Sequence, residues 1–190
     1  NLDGKVGFVR PTFEEYPNRY DPADQVIFQP NNPDFKYGAD DLIDFFANKP
    51  ITTLVVVNPD NPTGNYIPQK DMTRLIAWTK SQDIRLIIDE SFVDFAEEET
   101  TLIEQKTLNE NPHLFVMKSI SKSYGVPGLR LGVLASGDVE RIAAIKKDVA
   151  IWNINSFAEY YMQIAEKYKK DYVRALAAVK AERARYTAQL

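Results

Sequence analysis

Cysteine is absent from the 190 residues, which excludes a disulfide framework, thiolate catalysis and cysteine-based metal sites. It leaves the redox compartment open. Histidine occurs once, at His113, so a histidine-rich metal centre is excluded and any Ser-His-Asp triad would have to use that residue. Neither sign of charge dominates: the formal net charge is -4, which gives no electrostatic reason for a nucleic-acid partner. No apolar run approaches the roughly 18 residues of a membrane span, and the N-terminus lacks the basic-then-apolar order of a signal peptide. No metal, nucleic-acid or membrane partner is therefore expected.

What is present is the composition of a globular chain, 44% apolar and 26% charged. Short apolar runs at 6–9, 25–28, 53–57, 85–88, 114–117 and 131–135 predict strands. They are mostly continuous rather than alternating, which suits a mainly parallel sheet covered on both faces. Helical stretches at 39–48, 68–81 and 138–147 separate them, with Pro68 in a first helical turn and Met72, Leu75, Ile76 and Thr79 on one face. The fold class is thus α/β, a mainly parallel sheet flanked by helices. Strand signals cease near Ala150, and 156–190 is helical in composition, with the charge step at 167–171 separating two helices. Residues 1–150 read as the later part of a large domain, and 151–190 as an interdomain helix and the start of a smaller one. The chain opens at Asn1 without Met and stops at Leu190 within helical sequence, and it reads as part of a longer protein.

In open α/β sheets, ligands bind beyond the carboxyl ends of strands. Three polar stretches are expected there, facing one crevice: "NPDNPTG" at 58–64, "DESF" at 89–92 and "SISKSYGVPGLRLG" at 119–132. Lys122 reads either as a solvated loop residue or as an amine held for attack on a carbonyl, the chemistry that pyridoxal cofactors require. Ser119, Ser121 and Arg130 read as helix-start serines and a surface cation, or as donors around a phosphate dianion. Gly125, Gly128 and Gly132 favour the second reading, because they permit the tight return of Arg130 toward Lys122. Asp89 is an N-cap or the partner of a pyridine nitrogen. Asn61 belongs to a turn or donates its amide to a ring oxygen, with Pro62 in cis as a way of fixing it. Tyr124 reads as structural, His113 as a turn residue and 97–99 as a solvated acidic loop.

Together with "PTFEEY" at 11–16, these stretches resemble the fold-type I pyridoxal-phosphate enzymes of the class I/II aminotransferase family. The branch resembled holds histidinol-phosphate aminotransferases and threonine-phosphate decarboxylases. The resemblance implies pyridoxal 5'-phosphate as cofactor, with Lys122 as Schiff-base lysine and proton shuttle, Asp89 at the pyridine nitrogen and Asn61 at the ring hydroxyl oxygen. Ser119, Ser121 and Arg130 would hold the phosphate. It also implies a small-molecule amino acid or amino-phosphate substrate, a homodimer and a cytoplasmic setting. Tyr16, Phe92 and Asn155, with Asn153 nearby, are candidates to line the site. Phe92 stands where many relatives carry a tyrosine, and it removes one donor to the ring oxygen. Amino transfer is the first expectation, decarboxylation of a phosphorylated amino acid the alternative, and a noncatalytic module keeping the fold a third. The family places an aromatic facing the cofactor before residue 1 and an arginine for the substrate carboxylate after residue 190.

Overall fold

The computed structural model describes residues 4–97 and 100–189. Six strands form one sheet in the order β2-β1-β3-β4-β5-β6. They are β1 (Lys5–Val9), β2 (Gln25–Phe28), β3 (Ile51–Val57), β4 (Arg85–Asp89), β5 (Leu114–Ser119) and β6 (Gly132–Ser136). The first five run parallel, and β6 pairs antiparallel with β5, Ser119 opposite Gly132. The expected mainly parallel α/β sheet is thus observed, and its functional end is the carboxyl edge of β3, β4 and β5.

Helices α1 (Ala39–Phe46) and α2 (Gln69–Ser81) help build the larger core. Leu54 and Val56 of β3 join Leu42, Phe46, Met72, Leu75 and Ile76 there, whereas Val55 packs with Val6 and Phe8 in a smaller cluster. This two-residue alternation explains the continuous apolar run: both faces of β3 are covered. Each fully buried leucine contributes about 2 kcal/mol of burial. On α2 the buried stripe is Met72, Leu75, Ile76 and Thr79, as its spacing predicts. Pro68 lies one residue earlier than expected, just outside α2, where its carbonyl accepts the first helical N–H bonds, from Asp71 and Met72.

Helix α3 (Gln105–Glu110) is six residues of mostly polar sequence with only Leu108 buried, too short to show a period. Gly137, just after β6, backs onto it: a Cβ there would lie 2.1 Å from the Leu108 carbonyl oxygen. Gly137→Ala should therefore cost about 3 kcal/mol by overpacking against backbone that cannot give way. Gly128, with nothing within 4 Å of its Cβ position, supplies the control. Equilibrium urea unfolding should show a clear loss of midpoint for Gly137→Ala and a much smaller one for Gly128→Ala.

Beyond β6 come α4 (Val139–Asp148), α5 (Ser156–Ala165) and α6 (Lys169–Thr187), the last two separated by a 3-10 turn at Glu166–Tyr168. That turn overlaps the start of the charge step. Helix α6 reaches back to the segment after β4, where Arg183 bonds the Phe95 carbonyl and pairs with Glu97 at 2.6 Å. Glu98 and Glu99 of the expected acidic loop lie outside the described residues. Among the described residues no helix is long and apolar enough to cross a membrane.

Candidate active site

The three carboxyl-end segments are stitched together by backbone before any functional side chain is considered. The Asn58 N–H bonds the Asp89 carbonyl at 2.9 Å, and the Glu90 N–H bonds the Met117 carbonyl at 2.8 Å. Side chains add cross-links from the N-terminal segment. The Thr12 hydroxyl donates to Asp60 at 3.0 Å, and the Tyr16 hydroxyl donates to Asp89. Asp60 also accepts from Thr63 at 2.6 Å, and its backbone bonds Asn65 and Gly64. Burial raises the Asp60 carboxyl above its ordinary range, against the lowering effect of these donors. Asp60 therefore holds the loop that carries Asn61, whose bond to Pro62 is cis.

Asp89 is held on both oxygens. Tyr16 occupies one, and the other accepts from the Ser91 N–H at 2.8 Å and the Ser91 hydroxyl. Ser91 in turn accepts from the Ser119 N–H at 3.0 Å, tying β4 to β5. Burial, then the charge and hydrogen bond of Asp89, push the Tyr16 hydroxyl far above its usual value. Tyr16 thus stays a donor throughout the working pH range.

The stretch at 119–132, rich in small residues, forms the other wall. Ile120 bonds the Leu131 carbonyl at 3.1 Å, the Lys122 carbonyl accepts from Gly125 at 3.1 Å, and Gly125 has φ of 64°. These contacts fold the connection back so that Arg130, itself in the left-handed region, lines the same cavity as Ser119 and Ser121. Its guanidinium donates to the Pro127 carbonyl at 2.9 Å, and its remaining N–H groups are available to a ligand. The Lys122 Nζ lies over the Phe92 ring, 5.6 Å from its centre.

Asn61, Asp89, Ser119, Ser121, Lys122, Arg130, Tyr16 and Phe92 all line one cavity of about 530 Å³. The structure does not bring Asn155 to that cavity. Its side chain accepts the Ala158 N–H at the start of α5 and donates to the Leu129 carbonyl at 2.9 Å. Tyr124 stacks on Tyr172 at 4.1 Å with rings nearly parallel, and His113 sits against Thr79 and the Ile76 carbonyl, away from the cavity. Five residues in or beside the site carried no assigned role in the sequence: Phe13, Asp60, Ser91, Asp94 and Lys118. All lie inside or next to the quoted motifs, but Asp60, Ser91, Asp94 and Lys118 each have a partner distant in sequence. Phe13 is 45% exposed and lines the cavity.

The donor set can be tested against a phosphorylated aldehyde cofactor. The Ser121 hydroxyl is buried at the cavity and has no hydrogen-bond partner among the described residues, an orphan of the kind a bound oxyanion satisfies. With Arg130 and Ser119 in the same cavity, together with an amine at Lys122 and the fixed Asp89 carboxylate, the residues present fit such a group. The profile of the Aminotransferase class I and II family matches residues 5–190. The chain belongs to this family of fold-type I pyridoxal-phosphate enzymes. Within it, the chain is related to the branch of histidinol-phosphate aminotransferases and threonine-phosphate decarboxylases.

Two curated relatives and one solved structure mark the neighbourhood. The chain is 37% identical over 160 residues to CMP-5'-(3-aminopropyl)phosphonate synthase of Streptomyces rubellomurinus, covering 84% of this chain and 25% of that one. It is 34% identical to L-serine phosphate decarboxylase of Sulfurospirillum multivorans, covering 90% of this chain and 45% of that one. The structure of a decarboxylase from the same organism aligns with a TM-score of 0.80 at 33% identity, over 96% of this chain and 53% of that one. The chain thus spans from a quarter to about half of the length of these relatives.

Proposed function

We propose that the full-length protein is a pyridoxal-phosphate-dependent decarboxylase of an amino acid that carries a phosphate or phosphonate. The observation that carries this reading is the 34% identity to L-serine phosphate decarboxylase over nearly the whole chain. Phe92 agrees with it, since the cavity wall beside Lys122 presents an aromatic face without a hydroxyl. Amino transfer, the first expectation from the sequence, stands second. It is favoured by 32% identity over 152 residues to the histidinol-phosphate aminotransferase of Desulfitobacterium hafniense.

Bound pyridoxal phosphate supplies a carbonyl that condenses with amines and a ring that withdraws electrons from the bonds at a substrate's α-carbon. The chain's own residues do the rest. Lys122 would provide the amine for the covalent link and the group that moves a proton at the substrate's α-carbon. In decarboxylation the bond from that carbon to the carboxylate would break, CO2 would leave, and the Lys122 ammonium would donate the proton that takes its place. Asp89, fixed by Tyr16 and Ser91, would place a negative charge that keeps a ring nitrogen protonated. Arg130, Ser119 and Ser121 would hold the phosphate, Asn61 would donate to the ring oxygen, and Phe13 and Phe92 would help exclude water. The expected homodimer, the cytoplasmic setting and the start of a second domain at residue 151 belong to the same proposal. Ile151 and Trp152, both almost fully exposed, offer apolar surface for further packing.

Full-length protein with pyridoxal phosphate should release CO2 repeatedly from phosphoserine, phosphothreonine or an ω-phosphono amino acid, without forming a keto acid. Keto-acid formation coupled to amination of 2-oxoglutarate, with no CO2, would overturn this reading in favour of the second.

A further inference from the structure

Two lysines line the cavity, Lys118 at the end of β5 and Lys122 four residues later. A carbonyl reagent entering it meets both, and the chemistry proposed above needs one of them. Their surroundings differ. Lys118 Nζ donates to Asp94 Oδ1 at 2.7 Å, and both side chains are mostly buried, 13% and 18% exposed. Lys122 Nζ has the Phe92 ring beneath it, a contact that is weaker than an ion pair and breaks without stranding a buried charge.

One turn makes this difference. After β4 the chain enters a 3-10 turn, Val93–Phe95, closed by the Phe95 N–H on the Phe92 carbonyl and the Ala96 N–H on the Val93 carbonyl. It carries Phe92 to Lys122 and Asp94 to Lys118. The second oxygen of Asp94 accepts from the Ser123 hydroxyl at 2.6 Å, which anchors the peptide directly after Lys122. Asp94 thus grips the chain on both sides of that lysine. Helix α6 braces the turn through Arg183 at the Phe95 carbonyl and stacks Tyr172 on Tyr124, one residue beyond Ser123. Other titratable groups on the cavity wall are Tyr16, Asp89 and Arg130, and Tyr16 is already committed to Asp89.

We propose that Asp94 is a positioning residue that selects Lys122 over Lys118 as the reactive amine, by locking the Lys118 nitrogen in an ion pair and fixing the Lys122 loop through Ser123. A nitrogen held against a carboxylate cannot attack a carbonyl until the pair opens, and opening it separates two shielded charges, although Glu90 also acts on the Lys118 charge. Ser123 keeps Lys122 facing the cavity while Lys118 is held back.

This inference rests on the reading of Lys122 as the cofactor's anchor for its purpose, but its test does not use the cofactor. Full-length protein stripped of cofactor is treated briefly with formaldehyde and cyanoborohydride at fixed pH, and methylation is quantified at each lysine by peptide mass spectrometry. In the native protein Lys122 should be methylated at least about tenfold faster than Lys118, and equal rates would overturn the proposal even if no variant folds. Asp94→Asn keeps an oxygen for Ser123 but removes the charge, and it should raise the Lys118 rate about tenfold with Lys122 changed little. Asp94→Glu, which restores the charge, should return Lys118 toward its native protection. A Lys118 rate unmoved by Asp94→Asn, or raised equally by Asp94→Glu, contradicts selection by this carboxylate. Failure of cofactor attachment at Lys122 would sink the functional reading and leave these rates intact.

Discussion

Lys122→Ala in the full-length protein should lower turnover by about four orders of magnitude or more, because one side chain serves as covalent anchor and as proton carrier. Lys122→Arg separates charge from chemistry. Arginine keeps a cation over Phe92, yet its guanidinium neither condenses with a carbonyl nor releases a proton in the working range. If the nitrogen's nucleophilicity is what matters, the arginine variant should be as inactive as the alanine variant, while its circular dichroism and urea midpoint stay close to native. Substantial activity in Lys122→Arg would assign the lysine an electrostatic role instead. Cofactor retention should fall in both, since the phosphate donors Ser119, Ser121 and Arg130 would hold the group without a covalent link.

The second large effect is expected at Asp89→Asn. The side chain keeps its size, and its carbonyl oxygen can still accept one of the bonds now donated by Tyr16 and Ser91. What disappears is the negative charge at the end of β4. Removing one preorganised charge from a shielded site costs on the order of 100- to 1,000-fold in turnover. Tyr16→Phe removes a donor but leaves the charge, so its loss should be about tenfold or less. Steady-state rates for the two variants, measured with saturating pyridoxal phosphate, check the ranking. An Asp89→Asn enzyme within a few-fold of native, or weaker effects there than at Tyr16, would show that the carboxylate is a structural cap.

The sequence was most informative where one kind of residue had one structural use. The runs of β3, β4 and β5 are continuously apolar because both faces are covered, and the α2 stripe ending at Thr79 follows helical spacing. Helix α3 was invisible because six polar residues with one buried leucine carry no period. The antiparallel turn of β6 was also hidden, since it depends on how 120–131 folds back through the Ile120 to Leu131 bond. For the cavity, Lys122, Asp89, Asn61, Ser119, Ser121 and Arg130 were identifiable as lining residues by chemical type and by their places after strands. Ser91, Asp60 and Asp94 were not, because each acts through partners that only the fold brings close. Thr12 and Asp60 are 48 positions apart, and Lys118 and Asp94 are 24. Asn155 shows the converse: a polar residue at a helix start serves both a cap and a ligand contact on paper, and the fold places it on the cap.

The central claim is that the amine of Lys122 is the covalent attachment point within the cavity walled by Asp89, Asn61 and Arg130. Full-length protein incubated with pyridoxal phosphate, reduced with borohydride and digested should carry the phosphopyridoxyl mass on the peptide containing Lys122, with fragment ions placing it on that residue. The same mass on Lys118 or another lysine, with Lys122 unmodified, would contradict it.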